Sequence, residues 1–573
     1  MKVILKIFIL LISVTTIVTS CSEDALNLKP LDAISEDDVF NDIALLRAYV
    51  DATYAWLPDM NNGQRMGTDQ LADLSYLKVD RGEGVPEYSQ GRMDAVNGEN
   101  VSRGTWSNSY DAIRHINSYL AKIDKSSLLE SDVKPLTGQI HFLRAYFYFE
   151  LLQYYGGVPI IEKRFDINDE NFDLPRNTIE QVVGFIIAEV DKAMPLLPEG
   201  GPRTRASKAA AMALKGRTLL YAASKLFNPS DDRSKWEAAA VANKAVMDLS
   251  SYALSAKYFP IFSSKPLVDE VIFTREYNVG VNQGIWSGAN TMFWPNGYYG
   301  WHSVSPNQKF VDMFEMTNGK LPYLPDGTVN AASGYDPQNP YADRDPRLTD
   351  IVLYNGVQFK GRDVQYWIKY SDDGDGNHTG REAVGGGLDT HMSPRYPWEP
   401  SKTNYAYVKF TDPNTEPALN DSPTEEFTPD IKFRKTEFYL NYAETQIVLG
   451  HEPEARDAIN AVRARASVNM PPITASGADL VEAYRRERAI ELSLEGHRFF
   501  DIRRWKIAEN VMGKPFYGMD VEKLSTGKIV YNHSSKIVTE TNTRAWNDKQ
   551  YWFPIPDGEI KASNNALVQN PGY

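Results

Sequence analysis

The chain has 573 residues, of which 42% are hydrophobic and 24% charged, a composition typical of a folded protein with one large domain or several ordinary ones. With 61 basic against 75 acidic residues its formal net charge is −14, which argues against a nucleic-acid partner, because such partners favour a basic surface. The single cysteine, Cys21, allows no disulfide within the chain, so the core has to fold without covalent cross-links.

The N-terminus has the layout of a secretory signal. Two lysines precede a short apolar run, residues 7–14, and small residues lead into Cys21. The alternative, a membrane-spanning helix, needs roughly 20 apolar residues, and hydroxyl side chains interrupt this run. The segment Val18–Cys21 resembles a bacterial lipobox, in which the signal is cut before the cysteine and the thiol is acylated. We therefore expect residues 1–20 to be a signal peptide and residues 21–34 to be a lipidated tether.

Helical periodicity dominates the chain from Ser35 to about Leu249. The first predicted helix begins at Ser35, a good N-cap in front of three acidic residues. Further helices are predicted over Trp106–Ile123, Gln139–Tyr155, Thr178–Met194, Arg205–Phe227 and Trp236–Leu249. Alanines in Arg205–Phe227 leave room for a close partner helix. Helix pairs with periodic small and aromatic residues resemble tetratricopeptide-type hairpins, although no strict repeat period can be aligned.

The pattern changes between about residues 251 and 429, where Gly, Pro, Asn and Asp become frequent. This composition predicts long loops, which are often functional in compact domains. Short strands are predicted at Val271–Phe273, Ile351–Leu353 and Tyr405–Val408. Helices return at Arg434–Leu449, Pro453–Arg465 and Leu480–Glu495.

The sequence thus predicts a mainly α fold: a scaffold of tetratricopeptide-like helix pairs with a loop-rich, variable ligand-binding region that contains short strands. We expect a single domain over residues 35–573. Its helical scaffold should comprise approximately residues 35–250 and 430–573, and its binding loops should comprise approximately residues 251–429.

The densest aromatic segment of the chain, residues 285–301, lies in the loop-rich region. A loop rich in Gly, Asn and Pro cannot easily bury many rings, and exposed aromatic patches mark binding sites. Sugar rings have apolar faces, and an aromatic platform that covers ~60 Å² contributes about 1.5 kcal/mol. The alternative is that the rings pack the loops onto the helices; we expect at least two to be exposed. The candidate ligand-binding residues here are Trp286, Phe293, Trp294, Tyr298, Tyr299 and Trp301. Trp367 and Trp398 are further loop aromatics without an assigned role.

Three glutamates on one predicted helix face, Glu487, Glu491 and Glu495, raise the question of catalysis, because glycosidases use a pair of carboxylates. At i, i+4 and i+8 they would repel one another unless cations pair with them. The arginines close in sequence are Arg485, Arg486, Arg488, Arg498, Arg503 and Arg504. A structural ion-pair network is therefore favoured. No motif of a zinc hydrolase, a P-loop or a nucleophile elbow is present, and no catalytic residue is predicted.

Asp373, Asp375 and Asn377 alternate as at the start of an EF-hand calcium loop. Counted from Asp373, however, position six is His378 instead of glycine, and position twelve is Val384 instead of an acidic residue. The pattern therefore favours a surface turn, and no metal or other cofactor is expected.

Several segments of the chain resemble one protein family. They are Phe142–Leu151, Tyr155–Pro159, Arg344–Leu348, Arg434 with Tyr442–Glu444, Arg485–Trp505, Pro554–Pro556 and Gln569–Tyr573. In this order they resemble the signature segments of the SusD/RagB-like outer-membrane lipoproteins of Bacteroidetes. Ser22–Asp24 also resembles the acidic surface-export signal that follows the lipidated cysteine in such proteins.

The resemblance implies four tetratricopeptide-like helix pairs and a looped, variable ligand-binding region. It implies a protein that is anchored in the outer membrane through Cys21, faces the exterior, binds an oligo- or polysaccharide and partners a SusC-like TonB-dependent transporter. Family members tend to use a loop after the first helices, which adds Tyr76 and Arg81 as candidate ligand-binding residues. Because some members bind peptides, peptide binding is one alternative; a lipid-anchored glycan hydrolase is an alternative of another class.

Overall fold

The described part of the chain begins after the predicted tether. The computed structural model describes residues 35–58, 65–78, 85–102, 104–165, 174–276, 288–373, 381–417, 428–536 and 544–573. The predicted signal peptide and tether lie outside these ranges, as do Cys21, Arg81, Trp286, Asp375 and Asn377. Among the helices of the described residues, none is both long and apolar enough to cross a membrane.

The described residues up to position 247 form helices and one short strand. They are Glu36–Asn41 (α1), Ile43–Tyr54 (α2), Arg65–Gln70 (α3), Ser75–Leu77 (β1), Val85–Ser89 (α4), Gly98–Val101 (α5), Thr105–Leu120 (α6), Glu130–Tyr155 (α7), Ile179–Ala193 (α8), Lys208–Ala223 (α9) and Arg233–Met247 (α10). Capping boxes at Ser35 and Thr178 fix the starts of α1 and α8. The five helices predicted between Trp106 and Leu249 are confirmed, with shifted ends.

Helix α7 shows why its predicted start was wrong. It begins at Glu130, nine residues before the predicted Gln139, and runs for 26 residues. Pro135 and Gly138 lie within its first three turns, where they suggest a helix break in the sequence although the helix tolerates both. Its end is as predicted, because Gly156 takes a positive φ of 74° directly after Tyr155.

The predicted close packing of the alanine-rich segment is visible between α9 and α10. A Cβ atom on Gly216 of α9 would lie 2.9 Å from the Asn243 side chain of α10. The Asn243 amide instead donates to the Gly216 carbonyl oxygen at 2.9 Å, which satisfies a polar group in a buried contact. The small residue therefore sets the distance between these helices. Together, the helices confirm the predicted mainly α fold.

From residue 251 onward short strands and helices alternate before longer helices return. The strands are Val271–Arg275 (β2), Val304–Pro306 (β3), Val352–Leu353 (β4), Gln358–Phe359 (β5), Arg362–Asp363 (β6), Ile368–Tyr370 (β7), Ala383–Gly386 (β8), Ala406–Tyr407 (β9), Asp430–Arg434 (β10), Tyr517–Lys523 (β11) and Ile529–Lys536 (β12). The helices are Ala289–Phe293 (α11), Gln308–Asp312 (α12), Arg347–Ile351 (α13), Lys435–Leu449 (α14), Glu452–Arg463 (α15), Gly477–Glu491 (α16), His497–Arg504 (α17), Ala508–Val511 (α18) and Asp557–Ala562 (α19).

The strands form small antiparallel pairs and one larger sheet. β1 pairs with β3, β2 with β10, β4 with β9, and β5 with β6. The four-stranded sheet has the order β12-β11-β7-β8, with a parallel contact between β11 and β7. Because β10 leads directly into α14, its pairing with β2 joins the loop-rich region to the helices. The hairpin β11–β12 was not predicted, although Tyr517, Met519 and Val521 alternate along β11 with Gly518, Asp520 and Glu522.

The three glutamates Glu487, Glu491 and Glu495 lie in a buried ion-pair network, as predicted. Their cationic partners come from distant parts of the chain instead of from the neighbouring arginines. These partners are Arg347, Lys409, Arg434, Arg463 and Arg465. Since Arg347 and Lys409 belong to the loop-rich region, the network holds the loops on the helical scaffold.

Candidate functional site

Three of the six predicted loop aromatics are buried, so the expectation that they form exposed platforms is wrong for them. Phe293, Trp294 and Tyr298 are 1%, 0% and 6% exposed. The segment forms α11 and a short 3-10 helix and then folds back, with Trp301 N donating to the Thr291 carbonyl oxygen at 2.8 Å. The turn is tight: a Cβ on Gly300 would lie 2.1 Å from the Trp294 carbonyl oxygen.

The buried rings pack against the strands that follow. Trp294 meets Phe359 edge to face at 5.1 Å, and the Tyr298 hydroxyl donates to the Phe359 carbonyl oxygen at 2.9 Å. The Arg362 guanidinium lies 3.7 Å from the centre of the Tyr298 ring. Phe293 meets Tyr407 of β9 edge to face at 5.7 Å. The alternative considered from the sequence, that the rings pack the loops onto the helices, is therefore right about burial, but these contacts are to strands of the loop-rich region.

The remaining predicted aromatics differ in exposure. Tyr299 is 36% exposed and Trp301 is half-buried. Tyr76 is only 2% exposed, because it lies in β1 and packs edge to face against Phe516 at 6.0 Å. Tyr76 is therefore a core residue and not an exposed contact. Trp286 and Arg81 lie outside the described residues.

The structure brings Tyr299 together with two aromatic residues of another loop, Tyr396 and Trp398. The rings of Tyr299 and Tyr396 meet edge to face at 5.8 Å, and those of Tyr396 and Trp398 at 5.5 Å. Trp398 is 67% exposed, an unusual state for so large an apolar side chain. We call these three residues the aromatic ridge.

Of the two aromatic residues in this second loop, Trp398 has no role predicted from the sequence, and Tyr396 is not among the predicted site residues. The available signal was local: Tyr396 and Trp398 alternate with Pro394 and Pro397, a spacing that restricts the backbone of a loop. Nothing in the sequence shows that this loop lies beside Tyr299, which is almost 100 residues earlier in the chain.

A buried asparagine joins the two loops of the ridge. The Asn296 side-chain amide donates to the carbonyl oxygens of Thr390 at 2.9 Å and of Arg395 and Tyr396, both at 3.2 Å. Asn296 itself is fully buried. These hydrogen bonds fix the backbone of the second loop relative to the turn that carries Tyr299.

An ion pair with a buried carboxylate supports the same contact. Arg362 binds both carboxylate oxygens of Asp389 at 2.8 Å, and Asp389 also accepts a hydrogen bond from the Gln365 backbone N at 2.8 Å. Gly297 sits against this pair, since a Cβ there would come within 2.3 Å of Asp389 Oδ1. The geometry requires glycine at position 297.

The end of the ridge is anchored through Glu399, the neighbour of Trp398. Glu399 is buried and paired with Lys78, whose ammonium group also donates to the Trp398 carbonyl oxygen at 3.4 Å. His302 lies between the Glu399 carbonyl oxygen, at 3.0 Å, and the Tyr366 hydroxyl, at 2.9 Å. Burial lowers the pKa of His302 to about 3, so this link is a neutral one.

The arrangement suits binding by stacking. It presents an exposed indole and two tyrosine rings on a backbone that buried polar contacts hold in place. The carboxylates next to it, Asp389 and Glu399, are both buried in ion pairs.

Among the described residues there is no group of three or more His, Cys, Asp or Glu that could hold a metal. Asp373, the first residue of the pattern that resembles a calcium loop, accepts hydrogen bonds from the Ser525 backbone N and hydroxyl, both at 2.6 Å.

Two family models match the chain. Residues 269–573 match the model described as the SusD family, and residues 29–220 match one described as "Starch-binding associating with outer membrane". SusD-like protein P2 of Formosa agariphila is 23% identical over 96% of this chain and 97% of its own length.

Solved structures match over nearly the whole chain. A SusD-like protein from Bacteroides fragilis is 27% identical, with a TM-score of 0.74 over 95% of this chain and 100% of its own. A SusD-like carbohydrate binding protein from the same species is 25% identical, with a TM-score of 0.72 over 92% of this chain and 99% of its own.

Proposed function

The chain belongs to the SusD family, and we propose that it is a lipoprotein that captures an oligo- or polysaccharide on the aromatic ridge of Tyr299, Tyr396 and Trp398. The observation that carries this proposal is the 67% exposure of Trp398 within a cluster of three contacting rings. The similarity to a structure described as a carbohydrate binding protein supports a glycan as the ligand.

The size of the ridge sets the affinity that we expect. Each ring that covers ~60 Å² of a sugar face contributes about 1.5 kcal/mol, so three rings give about 4–5 kcal/mol before the costs of association. Before those costs this energy corresponds to a dissociation constant near 1 mM, so the rings alone give weak binding unless hydrogen bonds add to it. Weak binding suits a protein that has to pass its ligand on.

We propose that the protein is held at the outer membrane by lipid on Cys21 and faces the exterior. The family model that matches residues 29–220 carries an association with the outer membrane in its description. The acidic residues at 23 and 24 fit export to the cell surface. We further propose that a SusC-like TonB-dependent transporter receives the glycan from the ridge.

The proposed function involves no catalysis. The glutamates that could suggest a glycosidase are engaged in buried ion pairs: Glu491, for example, lies within 3.1 Å of three arginines. Glycosidases need two carboxyl groups that reach the sugar from opposite sides. The carboxylates beside the ridge, Asp389 and Glu399, are buried.

A glycan array combined with a product assay tests the proposal. The chain without residues 1–21 should bind at least one polysaccharide on the array and release no reducing sugar from it. Saccharide release that a single Glu→Gln or Asp→Asn change abolishes would establish the hydrolase alternative. Binding of peptides that survives Trp398→Ala, without binding of any glycan, would establish the peptide alternative.

A further inference from the structure

We propose that the aromatic ridge selects anionic saccharides, meaning glycans that carry uronate carboxylates or sulfate esters, and that Arg395 makes the deciding contact. This inference rests on the proposed role of the ridge as the glycan site. It concerns the class of glycan, which the rings alone do not determine, because neutral and acidic sugars share apolar faces.

Arg395 is held in place at the ridge. Its guanidinium lies 4.7 Å from the centre of the Tyr299 ring, and Nη1 donates to the Gly297 carbonyl oxygen at 3.0 Å. The side chain is exposed, and no acidic residue of the described chain forms an ion pair with it. A guanidinium has five N–H donors, so this geometry leaves donors for a ligand.

The loop that carries Arg395 is locally basic. In residues 388–402 the exposed side chains that can carry charge are His391, Arg395 and Lys402, all of them basic. The two acidic residues of this stretch, Asp389 and Glu399, are buried and paired with Arg362 and Lys78. A chain with a net charge of −14 thus presents only basic groups along this loop.

Two residues of the ridge adopt a backbone conformation that is costly for large side chains. Tyr299 has a φ of 66° and Tyr396 a φ of 43°, both in the left-handed region. Such conformations persist where surrounding contacts impose them, and they cluster at functional sites. Here the Tyr299 ring lies beside the Arg395 guanidinium and meets the Tyr396 ring edge to face.

These features together define a contact for an anion beside a sugar ring. An oriented guanidinium binds carboxylate or sulfate oxygens through two parallel hydrogen bonds, and each such charge-assisted bond is stronger than a neutral one. The protein can then hold a sugar ring stacked on the ridge and, at the same time, the anionic group of that sugar. Because the pair is exposed, its contribution should weaken as ionic strength rises.

Matched pairs of polymers test this inference. The probes are polygalacturonate with its carboxyl-reduced form, and a sulfated galactan with its desulfated form, titrated calorimetrically into the chain without residues 1–21. We expect the protein to bind one of the anionic polymers at least tenfold more tightly than its neutralised partner. Whether the preference follows the carboxylates or the sulfates identifies the anion.

Variants separate this inference from the proposed function. Arg395→Gln should weaken binding of the anionic polymer roughly tenfold and leave binding of its neutral form unchanged. Arg114→Gln, at an exposed site on α6, is the control and should change neither. Trp398→Ala should weaken binding of both forms.

Three results would overturn the selection of anions. The first is equal affinity for both members of each pair. The second is an anion preference that Arg395→Gln leaves intact. In both cases the ridge remains the glycan site if Trp398→Ala still weakens binding. In the third, neither Trp398→Ala nor Arg395→Gln changes the binding of any polymer, and the proposed function fails as well. Thermal melting of each variant shows whether it is folded.

Discussion

Trp398 projects into solvent while Glu399, the next residue, is buried in an ion pair with Lys78. The loop is therefore fixed directly behind its most exposed ring. A ring that is already held in place loses little side-chain freedom when a ligand stacks on it, so more of the stacking energy appears as affinity. The hydrogen bonds from Asn296 fix the other side of the same loop.

Replacement of Trp398 should weaken glycan binding in proportion to the ring surface that is lost. Trp398→Ala removes a platform of about 1.5 kcal/mol, so we expect a dissociation constant roughly tenfold higher. Trp398→Phe keeps a smaller ring, so its dissociation constant should lie between those of Trp398→Ala and the wild type. Affinity electrophoresis or calorimetry with a bound polysaccharide measures both.

The control for Trp398→Ala is Val241→Ala, which truncates an apolar side chain of similar exposure, 73%, on α10. Both variants should melt within a degree or two of the wild type, since neither side chain belongs to the core. Equal affinities of Trp398→Ala and Val241→Ala would remove Trp398 from the binding site.

The Arg362–Asp389 pair should support the ridge as well as the fold. Asp389→Asn leaves the Arg362 charge without its carboxylate, and because Arg362 is partly accessible to water we expect a loss of about 1–3 kcal/mol in the free energy of unfolding. Hydrogen exchange should also increase in residues 388–400, whose backbone the pair supports.

Chemical denaturation and hydrogen exchange by mass spectrometry measure these two effects. Asp457→Asn, at an exposed position of α15, is the matched control and should change neither. Unaltered exchange in residues 388–400 of a destabilised Asp389→Asn protein would show that the pair does not hold the ridge.

Glu491 should be essential for the stability of the fold and should have no catalytic role. It is buried between Arg347, Arg434 and Arg465, so Glu491→Gln leaves cations without compensation and should cost about 3–5 kcal/mol. Urea denaturation measures this. Glu482→Gln, at an exposed position of the same helix, should change stability by less than about 0.5 kcal/mol. A Glu491→Gln protein as stable as the wild type would contradict the structural role.

Asp69 gives a prediction about pH. Burial raises its pKa from 3.8 to about 7, so the folded state keeps a proton that the unfolded state has already released between these values. The stability that this carboxyl contributes is therefore full below pH 3.8 and is lost as the pH rises towards 7. Asp69→Asn removes this titration.

Melting curves of the wild type and Asp69→Asn between pH 4 and pH 8 test this sign. From pH 4 to pH 8 the free energy of unfolding of the variant should rise by ~1–3 kcal/mol relative to that of the wild type. Both proteins lose stability in acid through other carboxylates. One of these is Glu491, whose pKa the adjacent arginines lower to about 2. Parallel stability curves would show that Asp69 does not take up a proton in the folded protein.

The sequence was sufficient for the helical part of the fold because helix periods and caps are local signals. Thr178 and Gly156, for example, mark ends that the structure shares. The burial of Trp294 and Tyr298 was not predictable, since it depends on Phe359 and Arg362, about 60 residues later. For the same reason the contact between Tyr299 and Tyr396 was not visible: it is made by two loops whose relative position the fold alone determines.

A calorimetric titration of the double variant Tyr299→Ala/Trp398→Ala, with a glycan that the wild type binds, tests the proposed glycan site most directly. We expect no measurable heat of binding at glycan concentrations that saturate the wild type, while the circular dichroism spectrum and melting temperature stay unchanged. A dissociation constant equal to that of the wild type would place the glycan site elsewhere on the molecule.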